Sequence, residues 1–175
     1  MIYDANNDPR LIAERAECKE LCHDYNHLRP KDVVGRRKII MELLGSVKGN
    51  FLIEQPFLCD YGYNIHIGDN FYANHNLVIL DGATVKFGDN VFVAPNCGFY
   101  TAGHPIDAAE RNKGLEYARP ITVGNDVWIG GNVCVLPGVT IGDDCVIGAG
   151  SVVVKDIPPH SVAVGNPCKV IKKIK

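Results

Sequence analysis

Between Ile121 and Asp156 the chain divides into six consecutive six-residue units, ITVGND, VWIGGN, VCVLPG, VTIGDD, CVIGAG and SVVVKD. Each opens with an in-out-in triplet of strand formers and closes on three turn formers, mostly Gly, Asn, Asp or Pro. The inward first and third places read Ile, Val, Val, Ile, Val, Val, Val, Ile, Cys, Ile, Ser and Val, so Ser151 alone breaks an apolar interior. The same cadence runs earlier as IHIGDN, FYANHN and LVILDG from Ile65 and, after two extra residues, as VKFGDN, VFVAPN and CGFYTA. Three turn residues after three strand residues turn the chain through a corner without reversing it. Three such corners close a triangle, and successive coils stack with parallel strands in register. The pattern predicts a mainly β fold, a parallel β-helix whose inward positions form one continuous core. Periodicity does not fix its handedness.

The first fifty residues follow a different rhythm. Asp8-Pro9 supplies an N-cap and a first-turn proline, and Leu11, Ile12, Arg15, Cys18, Leu21, Cys22 and Tyr25 then recur at helical spacing. Val33, Val34, Arg37, Ile40, Met41 and Leu44 make a second helical pattern that closes at Gly45. This reading gives an N-terminal α-helical segment over 1–50, a β-helix over 51–171 and a basic tail over 172–175. It also leaves one anomaly, TAGHPIDAAERNKGLEYARP over 101–120, which breaks the cadence as a structureless, protruding loop. An excursion of that length is uncommon in a compact domain unless it carries function.

Composition narrows the chemistry. The 175 residues suffice for one domain with a sizeable core, and a formal charge of -2 gives no footprint for nucleic acid. No apolar run is long enough to span a bilayer and no export signal opens the chain, so a cytoplasmic protein is expected. Seven cysteines, an odd number, then read as reduced thiols. Cys18 and Cys22, with His23 and His27 close behind, make a metal site conceivable, but their spacing fits no common zinc pattern and burial in a helix face is preferred. Cys97 and Cys145 fall on core positions of the repeat, where a small apolar side chain packs.

DYGYNIHIGDNFYANHN, TAGHPID, VWIGGNVCVLPGVTIGD and VIGAGSVVVKDIPPHSVAVGNPCKVI together resemble the hexapeptide-repeat acetyltransferases, specifically the maltose and galactoside O-acetyltransferase branch. The resemblance runs from Asp8-Pro9 to Ile171. It implies a left-handed β-helix, a homotrimer with active sites between subunits, and acetyl transfer from acetyl-CoA to a sugar hydroxyl, with no metal required. A sugar hydroxyl is a weak nucleophile, so attack on a thioester needs a base, and His104 in the Gly103-His104-Pro105 turn of the excursion can serve. A base also needs an acceptor on its second ring nitrogen. The resemblance assigns Glu116, twelve residues on, to the catalytic group, whereas Asp107 and Glu110 read as solvated. It assigns Asn74 to the developing oxyanion, against the alternative of a corner amide bonding its own backbone. His75 reads as a surface residue.

For the acceptor, the resemblance points to Asp60 and Tyr72, with Asp4 as an N-terminal acidic contact. The chain opens about ten residues shorter than many relatives, which leaves the approach of Asp4 to the site open. Gly82 stands where the galactoside branch has a sugar-binding aspartate, favouring glucose- or maltose-like acceptors. For the coenzyme it points to Trp128, an outward ring in the VWI triplet, and to Gly131, Ala149, Val154, Lys155, Lys169 and Lys172. Val154 departs from the threonine common in relatives, and the two C-terminal lysines stand where arginine is frequent. Two other classes share a β-helix: a noncatalytic trimeric scaffold, and a γ-class carbonic anhydrase, whose paired histidine ligands have no counterpart in His66, His75, His104 and His160.

Overall fold

In the computed structural model, which describes residues 2–174, each six-residue unit forms one side of a triangular coil. A first face stacks Ser46–Val47, Ile65–Ile67, Val85–Phe87, Ile121–Val123 and Thr140–Ile141. A second stacks Phe51–Ile53, Phe71–Ala73, Phe92–Val93, Trp128–Ile129, Cys145–Ile147 and Ser161–Val164, and a third Phe57–Cys59, Leu77–Leu80, Gly98–Tyr100, Cys134–Val135 and Val152–Val153. Neighbouring coils are parallel and in register, as in Tyr72↔Phe92 and Phe92↔Trp128. All twelve inward residues from Ile121 to Val153 are at most 2% exposed. Ser151, the one polar member, donates its hydroxyl to the Gly148 carbonyl and accepts from the Gly165 N–H at 3.0 Å.

The corners explain the turn formers. Asn70, Asn90, Asp126 and Asp144 at one corner, and Asn76, Asn96 and Asn132 at the next, hold φ between 52 and 63°. Asn and Asp tolerate this left-handed region better than other non-glycine residues. Their side chains also ladder between coils: Asn70 Nδ2 donates to Asn90 Oδ1 at 2.9 Å and Asn90 Nδ2 to Asp126 Oδ1 at 2.8 Å.

The coils start earlier than Ile65: Ser46–Val47, Phe51–Ile53 and Phe57–Cys59 already make a first one, pairing with the strands above. Below that coil the strands have no strand partner, and the helices α1 (Pro9–His27) and α2 (Val33–Leu43) close the open end. Asn26 on α1 mimics a missing strand, donating Nδ2 to the Phe57 carbonyl at 2.9 Å and accepting the Phe57 N–H at 2.8 Å. The Tyr25 hydroxyl and the Arg36 guanidinium both donate to the Ile53 carbonyl, and Arg36 also pairs with Glu54 at 3.0 Å. That task rotates α2 relative to its expected stripe: Arg36, Ile40 and Leu43 are buried, while Val33, Val34 and Met41 are 66, 82 and 56% exposed.

At the opposite end the tail is not free. Lys169–Lys173 folds back antiparallel on Ser161–Val164, and Lys173 Nζ donates to Ser161 Oγ at 2.9 Å. The excursion is not structureless either. Ala102–Gly103 and Glu116–Ala118 pair antiparallel around a helical turn, α3 (Ala108–Arg111), and Ile2–Tyr3 adds a third strand in the register Tyr3↔Glu116. Asp107 caps α3 by accepting the Glu110 N–H at 3.0 Å, so it is a capping residue as well as an exposed one.

Replacing Asn26 by Ala leaves the buried Phe57 N–H and C=O without partners. Urea denaturation is expected to show a loss of about 1–3 kcal/mol, whereas Val34→Ala should stay within about 0.5 kcal/mol of the parent.

Candidate active site

His104 stands on the excursion where it leaves the corner between the third and first faces, about half exposed. Its Nδ1 lies 3.0 Å from the Leu115 carbonyl oxygen. A carbonyl only accepts, so Nδ1 is the donor, and in the neutral ring this tautomer leaves the lone pair on Nε2. The acceptor at Nδ1 is thus a main-chain carbonyl and not Glu116. Glu116 lies on the other side of the ring, its Oε1 3.9 Å from His104 Nε2. Gly103 is required beside the ring because an added Cβ would come within 2.6 Å of the Tyr117 ring across the hairpin.

Glu116 in turn faces a polar cleft of about 200 Å³ lined by Tyr3, Ala5, Asn6, Arg15, Asp60, Tyr61 and Glu116. The Tyr3 hydroxyl donates to Glu116 Oε2 at 3.2 Å, and burial, then the Glu116 charge, push Tyr3 above the ordinary phenol range, so it remains a donor. Gly82 floors this contact, since a Cβ there would meet the Tyr3 hydroxyl at 2.7 Å. Burial and then the nearby Asp81 push the Asp60 carboxyl up to about 6, against the opposing pull of Arg15. Asp81 is fully buried; its Oδ1 accepts the Asp60 and Tyr61 N–H groups at 3.0 and 2.9 Å and so sets the turn that presents Asp60.

Asp4 does not line this cleft. Its carboxylate is engaged by the Asn6 and Asn7 N–H groups at 3.2 and 3.0 Å and by Asn7 Nδ2, so the N-terminal strand delivers Tyr3 in its place. Tyr3, Arg15 and the Leu115 carbonyl carry no sequence signature. The first two are recruited by pairing across 113 and 46 residues, and a carbonyl looks the same at every position.

The remaining candidates lie elsewhere on the prism. Asn74 and Gly131 sit at the corner between the second and third faces, as does Ala149, and Tyr72 and Trp128 stand on the second face. Asn74 accepts the His75 N–H on Oδ1 at 2.7 Å, the corner bond expected of a structural amide, and this fixes Nδ2 as the free donor. Trp128 is 57% exposed in an outward column with Tyr72, Phe92, Val146, Val162 and Lys172. At about 4.8 Å per strand, Lys172 lies about 14 Å up the face from Trp128. Lys169 is exposed on the same terminal strand. Val154 and Lys155, exposed, lie instead at the corner from which the His104 excursion leaves. A single chain therefore presents the candidates in two groups on different edges and does not bring His104 to Asn74 or Tyr72 to Asp60.

A stacked hexapeptide prism bearing a tautomer-fixed imidazole on a projecting hairpin defines a hexapeptide-repeat transferase. Matching family descriptions are the maltose acetyltransferase hexapeptide capping motif over residues 1–49 and the bacterial transferase hexapeptide (six repeats) over residues 120–155. A Saccharomyces cerevisiae protein provisionally named an acetyltransferase is 64% identical over 99% of this chain and 88% of its own length. The crystal structure of a maltose O-acetyltransferase from Clostridium difficile 630 superimposes with a TM-score of 0.98 at 53% identity, covering 99% of this chain and 92% of that one. A galactoside acetyltransferase in complex with coenzyme A gives 0.96 at 48%, covering 99% and 86%. The chain belongs to the maltose and galactoside O-acetyltransferase branch of the hexapeptide-repeat acetyltransferases. The matched capping motif coincides with the helices that close the first coil. Among the described residues, no helix is long and apolar enough to cross a membrane.

The raised carboxyl of Asp60 has a thermodynamic consequence. Asp60 ionises more easily in the unfolded chain, near the ordinary 3.8, than in the cleft at about 6, so its ionisation favours unfolding. Stability from this group is full below pH 4 and declines as the pH rises to about 6. Asp60→Asn should therefore be more stable than the parent by about 1–3 kcal/mol at pH 7.5 and show no such gain at pH 4, read by urea denaturation at both pH values.

Proposed function

We propose that this chain transfers the acetyl group of acetyl-CoA directly to a hydroxyl of a sugar, in a ternary complex and at sites completed between the subunits of a homotrimer. The observation that carries the reading is the His104 ring, held through Nδ1 by the Leu115 carbonyl with Nε2 open beside Glu116. His104 takes the acceptor proton on Nε2 as the hydroxyl oxygen bonds the thioester carbonyl, and Glu116 stabilises the resulting imidazolium. Asn74, its amide orientation fixed by His75, donates Nδ2 to the carbonyl oxygen as negative charge develops there. Asp60 and Glu116 accept hydrogen bonds from sugar hydroxyls, and Tyr72 completes the acceptor wall from the adjoining prism. Gly82, needed small under Tyr3, keeps a further carboxylate out of the cleft and favours glucose- or maltose-like acceptors over galactosides.

The residues assigned to acetyl-CoA suit a long ligand with phosphates at one end. An added Cβ at Gly131 would touch the Pro95 carbonyl at 3.4 Å, whereas Gly150, beside the exposed Ala149, has open space, with nothing within 4 Å of an added Cβ. Trp128 offers an apolar wall, Val154 and Lys155 lie on the edge that carries the excursion, and Lys169 and Lys172 hold positive charge at the far end of the second face.

The character of the faces supports the trimer. Outward residues of the first face are polar, Ser46, His66, Lys86, Thr122 and Thr140, whereas the second and third faces present apolar columns including Leu52 and Phe92 or Leu58, Val78, Cys134 and Val152. Apolar stripes of this kind mark contact surfaces. Contact between two different faces is heterologous, and three copies related by a threefold rotation close it into a ring. It would also join the edge bearing Asn74 to the edge bearing His104. All seven cysteines are free, as a reducing cytoplasm would keep them.

With maltose, glucose, galactosides and chitooligosaccharides as acceptors, thiol release from acetyl-CoA should be strongest for the glucosyl sugars. His104→Ala should lower kcat about 10²- to 10⁴-fold without moving the melting transition. A scaffold without catalysis would release no thiol with any of them. Co-refolding inactive His104→Ala with inactive Asn74→Ala should restore part of the activity, because mixed rings contain some sites with both residues intact; a site confined to one chain would restore none.

A further inference from the structure

Away from the acetyl-transfer cleft, α1 meets the first coil at a group of three thiols. Cys18 and Cys22 lie one helical turn apart on α1 and Cys59 ends the strand Phe57–Cys59, with exposures of 3, 2 and 8%. Cys59 Sγ is 3.5 Å from Cys18 Sγ and 3.8 Å from Cys22 Sγ, and all three sulfurs fall within 4.8 Å of one another. A triangle of sulfurs about 4 Å on a side has its centre about 2.3 Å from each, the length of a metal–thiolate bond. The sequence pattern paired Cys18 and Cys22 with His23 and His27. Those imidazoles are exposed and stack on one another instead, and the third ligand arrives from the β-helix.

A second feature concerns access. Cys18 lines a cleft whose walls also carry Glu14, Glu17 and Glu42, and no basic side chain lines it. Three carboxylates around the mouth of a buried thiol group draw cations toward it. Thiolate ligands select soft cations, and among the described residues no His, Asp or Glu joins the three sulfurs as a fourth ligand, which suits a three-coordinate centre better than tetrahedral zinc.

We propose that Cys18, Cys22 and Cys59 form a buried three-thiolate site for a soft d10 cation, copper(I) in kind, reached through the acidic cleft. Each sulfur–metal bond replaces a sulfur–proton bond, the proton leaves to solvent, and copper enters as copper(I), so no electron is transferred. Bound metal would tie the α1 cap to the first coil and raise the melting temperature. The site is independent of the acetyl-transfer chemistry and stands or falls separately.

The test uses the full-length, reduced protein under anaerobic conditions, titrated with copper(I) held as its bicinchoninate complex and, in a parallel arm, with zinc chloride. The expected result is about one copper(I) withdrawn per chain, a sulfur-to-copper charge-transfer band in the ultraviolet, and a raised melting temperature. Cys18→Ala and Cys22→Ser should each lose the band and most of the copper, although the other four cysteines remain. Should a variant fold poorly, alkylation mapping of the parent serves instead: after partial denaturation, copper(I) should protect Cys18, Cys22 and Cys59 and leave Cys134 as reactive as before. Equal retention of copper by the variants, capture of neither metal, or tetrahedral zinc binding in preference to copper(I) would overturn the assignment.

Discussion

A dry interior enclosed by short strands is the constraint from which the rest of the structure follows. Three-residue strands bury only two side chains each, so no single strand is stable; stacking alone makes the core continuous and pairs the backbone groups of each coil with those above and below. That arrangement has two vulnerable places, its ends, where a coil lacks a neighbour. The chain covers one end with Asn26, Tyr25 and Arg36 acting as substitutes for a missing strand, and the other with a strand folded back on itself. The capping helices are therefore selected for what they offer a β edge more than for a regular apolar stripe, and Val33, Val34 and Met41 remain exposed in consequence.

Rigidity of the prism makes its corners good places for chemistry. A corner can widen without disturbing the core, because the inward triplets on either side keep their register. The excursion uses this freedom, leaving one corner between Tyr100 and Ile121 and returning to pair in register with the next coil. It is stiffened by its own hairpin and by the N-terminal strand, and so holds His104 at a defined height above the surface. The His104 ring is held by a carbonyl within the same hairpin, that of Leu115.

Carboxylates around this base are tuned by what lies beneath them. Asp81 is buried and uses Oδ1 to hold the turn at Asp60, while its charge and the burial of the cleft raise the Asp60 carboxyl. Glu116 is held by Tyr3 from one side and faces the imidazole on the other. The result is a polar cleft in which the Asp60 and Glu116 carboxylates stand beside Tyr3 and Arg15. The second face, by contrast, carries an outward, mostly apolar column that ends at Lys172.

The six-residue cadence determined by itself that this chain is a β-helix, which side chains are inside, and that 101–120 must leave the coil, because a period of two within each triplet and a corner every six residues are local properties. His104 stood out as a candidate because it is the one histidine in the excursion and because the Gly-His-Pro turn carries the resemblance. The first coil was legible only as the start of the β-helix at 51 and not as three repeat units from Ser46, since FLIEQP and FLCDYG lack the Gly-Asp-Asn corner that marks the others. Nor were the partners of His104 and Glu116, or the meeting of Cys59 with Cys18 and Cys22. These contacts join residues far apart in the chain, and only the closed three-dimensional path decides which distant groups share a few ångströms of space.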